Sequence, residues 1–140
     1  ARAGEWLRSG DIVHRDDDGV HTIVDRLKDI YISGGENVAP AEVERALVLH
    51  PLIAAAAVVG VPDPVWGERG VAFCVVRRGA TLSADEVLAH AKTHLAGFKV
   101  PVAVAFVDAL PTSAIDKIAR ARLRERAVRV VEGVSREHTR

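Results

Sequence analysis

The runs AAAAVVGV at residues 54–61 and VAFCVVR at residues 71–77 decide the fold class of this chain. Short apolar runs of this length, rich in valine and bounded by turn residues, are typical of β-strands. The segment between them contains prolines, an aspartate and a glycine, so it is expected to be a loop. A third β-prone run lies at residues 102–107.

Helical patterns alternate with these strands. Pro40 suits the first position of a helix, which would bury an apolar stripe with i, i+3, i+4 spacing. That stripe consists of Val43, Ala46 and Leu47. Ser83 followed by Glu86 is a capping-box pattern that opens a second helix, and Gly97 is expected to end it. A third helix is predicted over residues 118–131. The pattern predicts an α+β fold with a short, mainly antiparallel three-stranded sheet packed by helices.

The N-terminal residues have the pattern of a separate unit. β-prone runs at residues 12–15 and 20–24 flank an Asp-Gly turn, which predicts a β-hairpin. The charged connector DRLKD at residues 25–29 follows it. We therefore divide the chain into residues 1–25, a domain at residues 26–131 and a polar tail at residues 132–140.

Composition limits the possible functions. The formal net charge of zero argues against a general nucleic-acid binder. Cys74 is the only cysteine, so the chain forms no internal disulfide, which fits a reducing, cytoplasmic setting. No apolar stretch approaches the roughly 20 residues that span a bilayer. The chain contains no methionine and begins at Ala1, which suggests a fragment or a processed product.

Lysine is rare in this chain, because only four of its 19 basic residues are lysines. One of them, Lys117, lies in a segment of small polar residues just before an arginine-rich helical pattern. Such a position suits a mobile ammonium group that reaches an anionic substrate. The alternative is an ordinary surface lysine.

Other polar residues suit a phosphate-bearing ligand. Asp11 can accept hydrogen bonds from a vicinal diol such as a ribose, or it can serve as a turn or capping residue. Arg26 can bind oxyanions or hydroxyl groups, or it can form a surface salt bridge. The Gly34-Gly35 pair permits close backbone approach, or it is a plain turn. His90 and His94 have the i, i+4 spacing of metal ligands, but no third ligand is evident, so no metal site is predicted.

Five motifs in order resemble the C-terminal end of the adenylate-forming enzymes, a family that includes acyl-CoA synthetases, peptide-synthetase adenylation domains and luciferases. These are WLRSGD at 6–11, DRLKD at 25–29, SGGENVAPAEVE at 33–44, FKVP at 98–101 and LPTSAIDKI at 110–118. The residues of the third motif resemble those of acyl-CoA synthetases more than those of peptide-synthetase domains.

The resemblance implies a role for each candidate. Asp11 and Arg26 would bind the nucleotide ribose, and Lys28 would be the hinge about which a mobile C-terminal domain turns. Lys117 would be the catalytic residue between the substrate carboxylate and the ATP α-phosphate. Ser33, Gly34 and Gly35 would bind CoA by lining the path of its thiol.

The resemblance also implies substrates and partners. The whole enzyme would activate a carboxylic acid, in particular a fatty acid, with ATP and Mg²⁺ and transfer it to CoA. Most of the ATP site would belong to a large N-terminal domain, of which residues 1–25 would be the end. The fragment alone is expected to be inactive. Two alternatives remain open: a regulatory or binding module of the same fold, or an enzyme that loads an acyl carrier protein.

One departure from the family pattern concerns the residues before the lysine. The family usually has Thr-Gly there, whereas this chain has Ile115 and Asp116. Losing the glycine stiffens the segment, and the carboxylate of Asp116 is expected to pair with Lys117 or to repel a carboxylate substrate. The resemblance therefore implies tuned or reduced adenylation.

Overall fold

The computed structural model describes residues 29–111 and 119–133 with their side chains, and residues 2–3, 6–7, 11–15, 21–26 and 134–138 as backbone only. The strands are β1 Arg2–Ala3, β2 Trp6–Leu7, β3 Asp11–Arg15, β4 His21–Arg26, β5 Tyr31–Ser33, β6 Glu36–Val38, β7 Ile53–Asp63, β8 Gly67–Val76 and β9 Ala103–Phe106. The helices are α1 Pro40–Val48, α2 Ala84–His94 and α3 Arg120–His138, and a 3-10 helix at Gly97–Lys99 precedes β9.

The central strand of the main sheet is β8. One of its edges pairs antiparallel with β7, from Ile53 opposite Val76 to Asp63 opposite Gly67. The other edge is shared by β5, which pairs antiparallel at Gly67, and β9, which pairs parallel at residues 71–74. The strand β6 pairs with β5 and completes the sheet.

The predicted α+β class and the mainly antiparallel sheet are confirmed, but the sheet has five strands where the sequence indicated three. The two additional strands are β5 and β6, which form a hairpin around Gly34 and Gly35. Each has three residues. Strands this short contain too few residues for a period-2 alternation to be recognised.

Helices cover both faces of the sheet, which explains why β7 and β8 have continuous apolar runs. Alternate residues of the two strands point to opposite faces. One face packs with α1 and α2 through Ala56, Val58, Ala72, Cys74, Val43, Leu47, Val87 and Ala91. The other face packs with α3 through Ala57, Val59, Val71, Phe73, Leu123 and Ala127. Burying each valine or leucine contributes about 1.5–3 kcal/mol.

The helix starts confirm the predictions. The helix α1 begins at Pro40, and the Ser83 side chain accepts a hydrogen bond from the Glu86 amide in a complete capping box at the start of α2. The predicted glycine stop of α2 is wrong, since Gly97 begins the 3-10 helix instead. The helix ends at His94, where the cap residue Leu95 has an extended backbone and its amide donates to the Ala91 carbonyl, so the helix stops without a left-handed glycine.

The third helix is longer than predicted. It begins at Arg120 within the described residues and continues past Val131 to His138. The polar sequence from Glu132 onward is therefore helical as far as residue 138, although it was expected to be a tail.

Tyr31 lies in a notch made by two glycines. Its ring occupies the space where a Cβ atom on Gly60 or Gly70 would stand. The side chain is 2% exposed, and its hydroxyl has no hydrogen-bond partner among the described residues. Burial raises the pKa of this hydroxyl. The notch therefore requires glycine at both positions.

A cluster of ion pairs joins α3 to α1, to β7 and to the last residue of the charged connector. We call Asp29, Glu44, Val58 and Arg120 the Arg120 cluster. The Arg120 guanidinium donates to Glu44 Oε1 at 2.6 Å and to the Val58 carbonyl at 2.8 Å. The Val58 amide donates to Glu44 at 3.0 Å, and Arg120 Nε lies 3.5 Å from Asp29 Oδ2. Side chains thus satisfy the backbone of Val58 on the edge strand β7.

Candidate functional site

The two candidate nucleotide-binding residues are paired across the predicted N-terminal hairpin. The strands β3 and β4 pair antiparallel, and Asp11 lies directly opposite Arg26 in their register. The turn at residues 16–20 lies outside the described residues. The backbone therefore brings these two candidates together, and their contact with a ribose stays a prediction.

The hairpin between β5 and β6 turns on Gly34 and Gly35. Ser33 pairs with Glu36, which leaves a two-residue turn. The φ angles of the two glycines are +60° and +82°, as a type I′ turn requires. Both glycines thus have the left-handed backbone conformation that glycine adopts most readily. A Cβ atom on Gly35 would meet nothing within 4 Å, so this side of the turn is open.

Trp66 supports the other side of the turn. The Gly34 amide donates to the Trp66 carbonyl at 2.9 Å, and a Cβ atom on Gly34 would approach the Trp66 ring to 2.8 Å. The Trp66 side chain is 44% exposed. The Arg69 guanidinium lies 5.5 Å from the centre of the Trp66 ring, at cation–π distance. The turn therefore has one packed side and one open side.

The loop that carries Trp66 is ordered by Asp63. Its Oδ1 accepts hydrogen bonds from the backbone amides of Val65 and Trp66, both at 2.8 Å. The bond from the Trp66 amide, with that from Val65, lowers the pKa of this carboxyl below its usual range. Sequence reasoning identified this segment as a loop but missed Trp66. The available signal was an aromatic residue in a proline- and glycine-rich loop between two buried strands.

Ser33 combines burial with an unsatisfied hydroxyl. The residue is 1% exposed, and its Oγ has no hydrogen-bond partner among the described residues. An unpaired buried hydroxyl costs about 1–3 kcal/mol. Ser33 therefore provides a polar group directly beside the glycine turn, as the sequence placed it.

Lys28 and Lys117 both lie outside the described residues. The residues on either side of the segment that contains Lys117 are joined, since the Ala119 amide donates to the Pro111 carbonyl at 2.9 Å. Beside Pro111, an open groove is lined by three arginines and one glutamate of α3. These are Arg122, Glu125, Arg126 and Arg129. The net positive lining favours anionic groups near this end of the domain.

The cysteine and the two histidines that the sequence singled out make contacts that belong to the fold. Cys74 is fully buried in the core, and burial raises the pKa of its thiol to about 11, as for a structural cysteine. His90 Nε2 lies 2.8 Å from the Ala46 carbonyl, and its ring contacts His50 and His94. Across the described part of the chain, no three metal-ligating side chains are placed to hold an ion. Among the described helices, none is long and apolar enough to cross a membrane.

Comparisons with known proteins give one consistent result. The sequence profile of the AMP-binding enzyme C-terminal domain matches residues 42–117. Feruloyl-CoA synthase from Amycolatopsis sp is 51% identical over 121 residues, which cover 86% of this chain and 25% of that protein. The structure of Mycobacterium tuberculosis fatty acyl CoA synthetase is similar with a TM-score of 0.74 and 41% identity, over 90% of this chain and 25% of that one.

A third relative was solved with a reaction intermediate. The structure of o-succinylbenzoate CoA synthetase from Bacillus subtilis, in complex with the acyl-adenylate intermediate OSB-AMP, is similar with a TM-score of 0.79 and 38% identity. The similarity covers 87% of this chain and 25% of that one. The chain thus spans about a quarter of the length of the relatives it matches.

Proposed function

The chain belongs to the family of AMP-binding enzyme C-terminal domains, and from this premise we propose that it is the mobile C-terminal part of an acyl-CoA synthetase. The observation that carries the proposal is the family match, which runs to Lys117. In the proposed reaction, a carboxylate attacks the α-phosphate of ATP and releases pyrophosphate. The thiol of CoA then attacks the acyl-adenylate, forms the thioester and releases AMP.

Electrostatics explain the role of Lys117. A carboxylate that attacks a phosphate brings two anions together, and an ammonium group between them offsets the repulsion. A domain that turns about Lys28 delivers this charge for the first step and withdraws it for the second. Asp11 and Arg26, which face each other across the hairpin, hold the ribose of the nucleotide.

The glycine turn serves the second step. After the domain turns, Ser33, Gly34 and Gly35 line the path of the CoA thiol. The open side of Gly35, where a Cβ atom would meet nothing within 4 Å, supports this assignment. The packed side against Trp66 keeps the turn in one conformation, so no side chain moves into the path.

The names of the relatives agree on CoA and differ in the acid. Three relatives bear the names feruloyl-CoA synthase, fatty acyl CoA synthetase and o-succinylbenzoate CoA synthetase. Their common acceptor is CoA, so we propose CoA as the acceptor here. We propose a fatty acid as the substrate acid, as in the name of the fatty acyl CoA synthetase. The described residues contain no cluster suited to a metal. In line with the family resemblance, we assign the Mg²⁺ that accompanies ATP to the large N-terminal domain, the main partner of this chain. We place the enzyme in the cytoplasm.

Separate assays of the two half-reactions test this proposal in the full-length protein. Pyrophosphate release with ATP and a panel of acids reports the first step, and thioester formation from supplied acyl-adenylate reports the second. Lys117→Ala is expected to slow the first step about 100- to 1,000-fold, as expected for loss of a charge that stabilises the transition state. The second step should remain near the wild-type rate. Equal losses in both steps would refute the assignment.

Two controls sharpen the experiment. Lys92→Ala removes an exposed lysine of α2 and should change neither step. Replacing CoA with a phosphopantetheinyl carrier protein distinguishes the two acceptors: faster transfer to the carrier would overturn the assignment to CoA. The chain of residues 1–140 alone should form no thioester.

A further inference from the structure

The Arg120 cluster is the most buried group of charges whose contacts the structure records, and the proposed reaction gives it no role. The side chains of Arg120 and Glu44 are each 15% exposed, and that of Asp29 is 11% exposed. Arg120 reaches both carboxylate oxygens of Glu44, at 2.6 and 3.3 Å. This two-pronged contact fixes the orientation of the guanidinium as well as its position. The start of α3 is therefore held in one geometry.

The cluster joins the two segments that matter most for the proposed reaction. Asp29 directly follows Lys28, the proposed hinge residue, and Arg120 is the third residue after Lys117. A chain of three residues spans at most about 11 Å, so the Cα atom of Lys117 lies within that distance of the Cα atom of Arg120. A hydrogen bond of 2.9 Å from the Ala119 amide to the Pro111 carbonyl joins the two residues that flank the segment containing Lys117.

The recorded contacts join Asp29, the residue after the proposed hinge lysine, to the first turn of α3. Arg120 Nε lies 3.5 Å from Asp29 Oδ2, and Arg124 Nη2 lies 3.5 Å from Asp29 Oδ1. Two arginines one helical turn apart therefore contact the residue that follows the proposed hinge lysine. Glu44 and the Val58 carbonyl hold the other side of Arg120. The start of α3 is thereby tied on one side to Asp29 and on the other to α1 and β7.

We propose that Arg120 is a positioning residue for adenylation, which orients Lys117 by fixing the start of α3 to Asp29, Glu44 and Val58. This inference rests on the proposed function. Arg120 touches no substrate in this role. It determines where the Lys117 ammonium arrives when the domain closes for the first step, and the thiol-transfer step, which uses the glycine turn, does not depend on it.

Arginine is required because it makes several contacts at once. Its planar guanidinium donates to Glu44, to the Val58 carbonyl and toward Asp29. A lysine at this position keeps the charge but has one ammonium on a flexible stem, so it cannot reproduce the two-pronged contact. Arg120→Lys should therefore recover only part of what Arg120→Gln loses.

The test uses the full-length protein and both half-reactions. Arg120→Gln should lower kcat of pyrophosphate release about 10- to 100-fold, because a displacement of about 1 Å at a reacting group has effects of this size. The KM for ATP and the rate of thioester formation from supplied adenylate should stay within about threefold, and Arg120→Lys should lie between Arg120→Gln and the wild type. Equal losses in both half-reactions would indicate a merely structural role and overturn the proposal, as would an unchanged first step.

A second variant keeps the test decisive if Arg120→Gln does not fold. Arg124→Gln removes the other arginine at Asp29, and its side chain is 43% exposed, so the fold should tolerate it. It should slow the first step about five- to tenfold, the size expected from a smaller displacement, and leave the second step within about threefold of the wild type. Arg45→Gln, an exposed arginine of α1, is the matched control and should change neither step. A first step as fast in Arg124→Gln as in Arg45→Gln would overturn the proposal.

The wild-type protein separates this proposal from the function on which it rests. A wild type that forms neither adenylate nor thioester with any acid overturns the proposed function before any variant is measured. A wild type that performs both steps, with variants that lose both in equal proportion, overturns only the role of Arg120.

Discussion

The two acidic residues of α1 give a matched measurement of what the Arg120 cluster contributes to stability. Glu44 pairs with Arg120, and both side chains are 15% exposed. Glu42, two residues earlier, pairs with Lys99 at 2.9 Å, and these side chains are 42% and 23% exposed respectively. Glu44→Gln and Glu42→Gln are the same chemical change on the same helix, so they differ mainly in burial and in the number of partners.

The contacts of Glu44 determine the expected size of the effect. Its carboxylate accepts from the Val58 amide and from two guanidinium nitrogens, and in glutamine one oxygen becomes an NH₂ group that faces a donor. Breaking a buried ion pair costs about 3–5 kcal/mol. Because these side chains keep some exposure and Asp29 remains near Arg120, we expect about 2–3 kcal/mol for Glu44→Gln. The half-exposed pair at Glu42 should contribute less than about 1 kcal/mol.

Thermal and urea unfolding of the chain measure both values. For a chain of this length, Glu44→Gln should lower Tm by about 7–10 °C, and Glu42→Gln by less than about 3 °C. Equal shifts for the two variants would contradict the reasoning, since the difference in burial would then have no effect. A shift below about 2 °C for Glu44→Gln would show that water replaces the lost contacts.

Two further predictions concern the glycine turn and the cysteine. Gly35 and Gly79 have φ angles of +82° and +80° and equally open surroundings, so Gly35→Ala and Gly79→Ala should destabilise the chain equally, by about 1–2 kcal/mol. In the full-length protein only Gly35→Ala should slow thioester formation, and equal rates in the two variants would exclude the turn from the thiol path. Burial raises the pKa of Cys74 from 9.0 to about 11, so the folded state retains a proton that the unfolded state loses. The free energy of unfolding should therefore fall between pH 9 and 11, and Cys74→Ala should lack this contribution; parallel pH profiles for the two proteins would contradict the assignment.

Structural features with a local physical cause could be predicted from the sequence. The capping box of Ser83 and Glu86 and the start of α1 at Pro40 were predicted and are confirmed. Each depends on contacts or steric limits within a few residues, so neighbouring residues suffice to specify it. The end of α2 was mispredicted at Gly97 because the chain becomes extended earlier, at the cap residue Leu95, without a left-handed glycine.

Apolar periodicity and local backbone limits are encoded in neighbouring residues, so the main strands, the helices and the family motifs could be identified from the sequence, whereas the short strands β5 and β6 could not. Which distant residues meet depends on the three-dimensional packing. The packing of Trp66 on Gly34 and the pairing of Arg120 with Asp29 and Glu44 join residues more than 30 positions apart. Such contacts depend on how β5, β7, α1 and α3 pack around the central strand, and no local pattern specifies that packing.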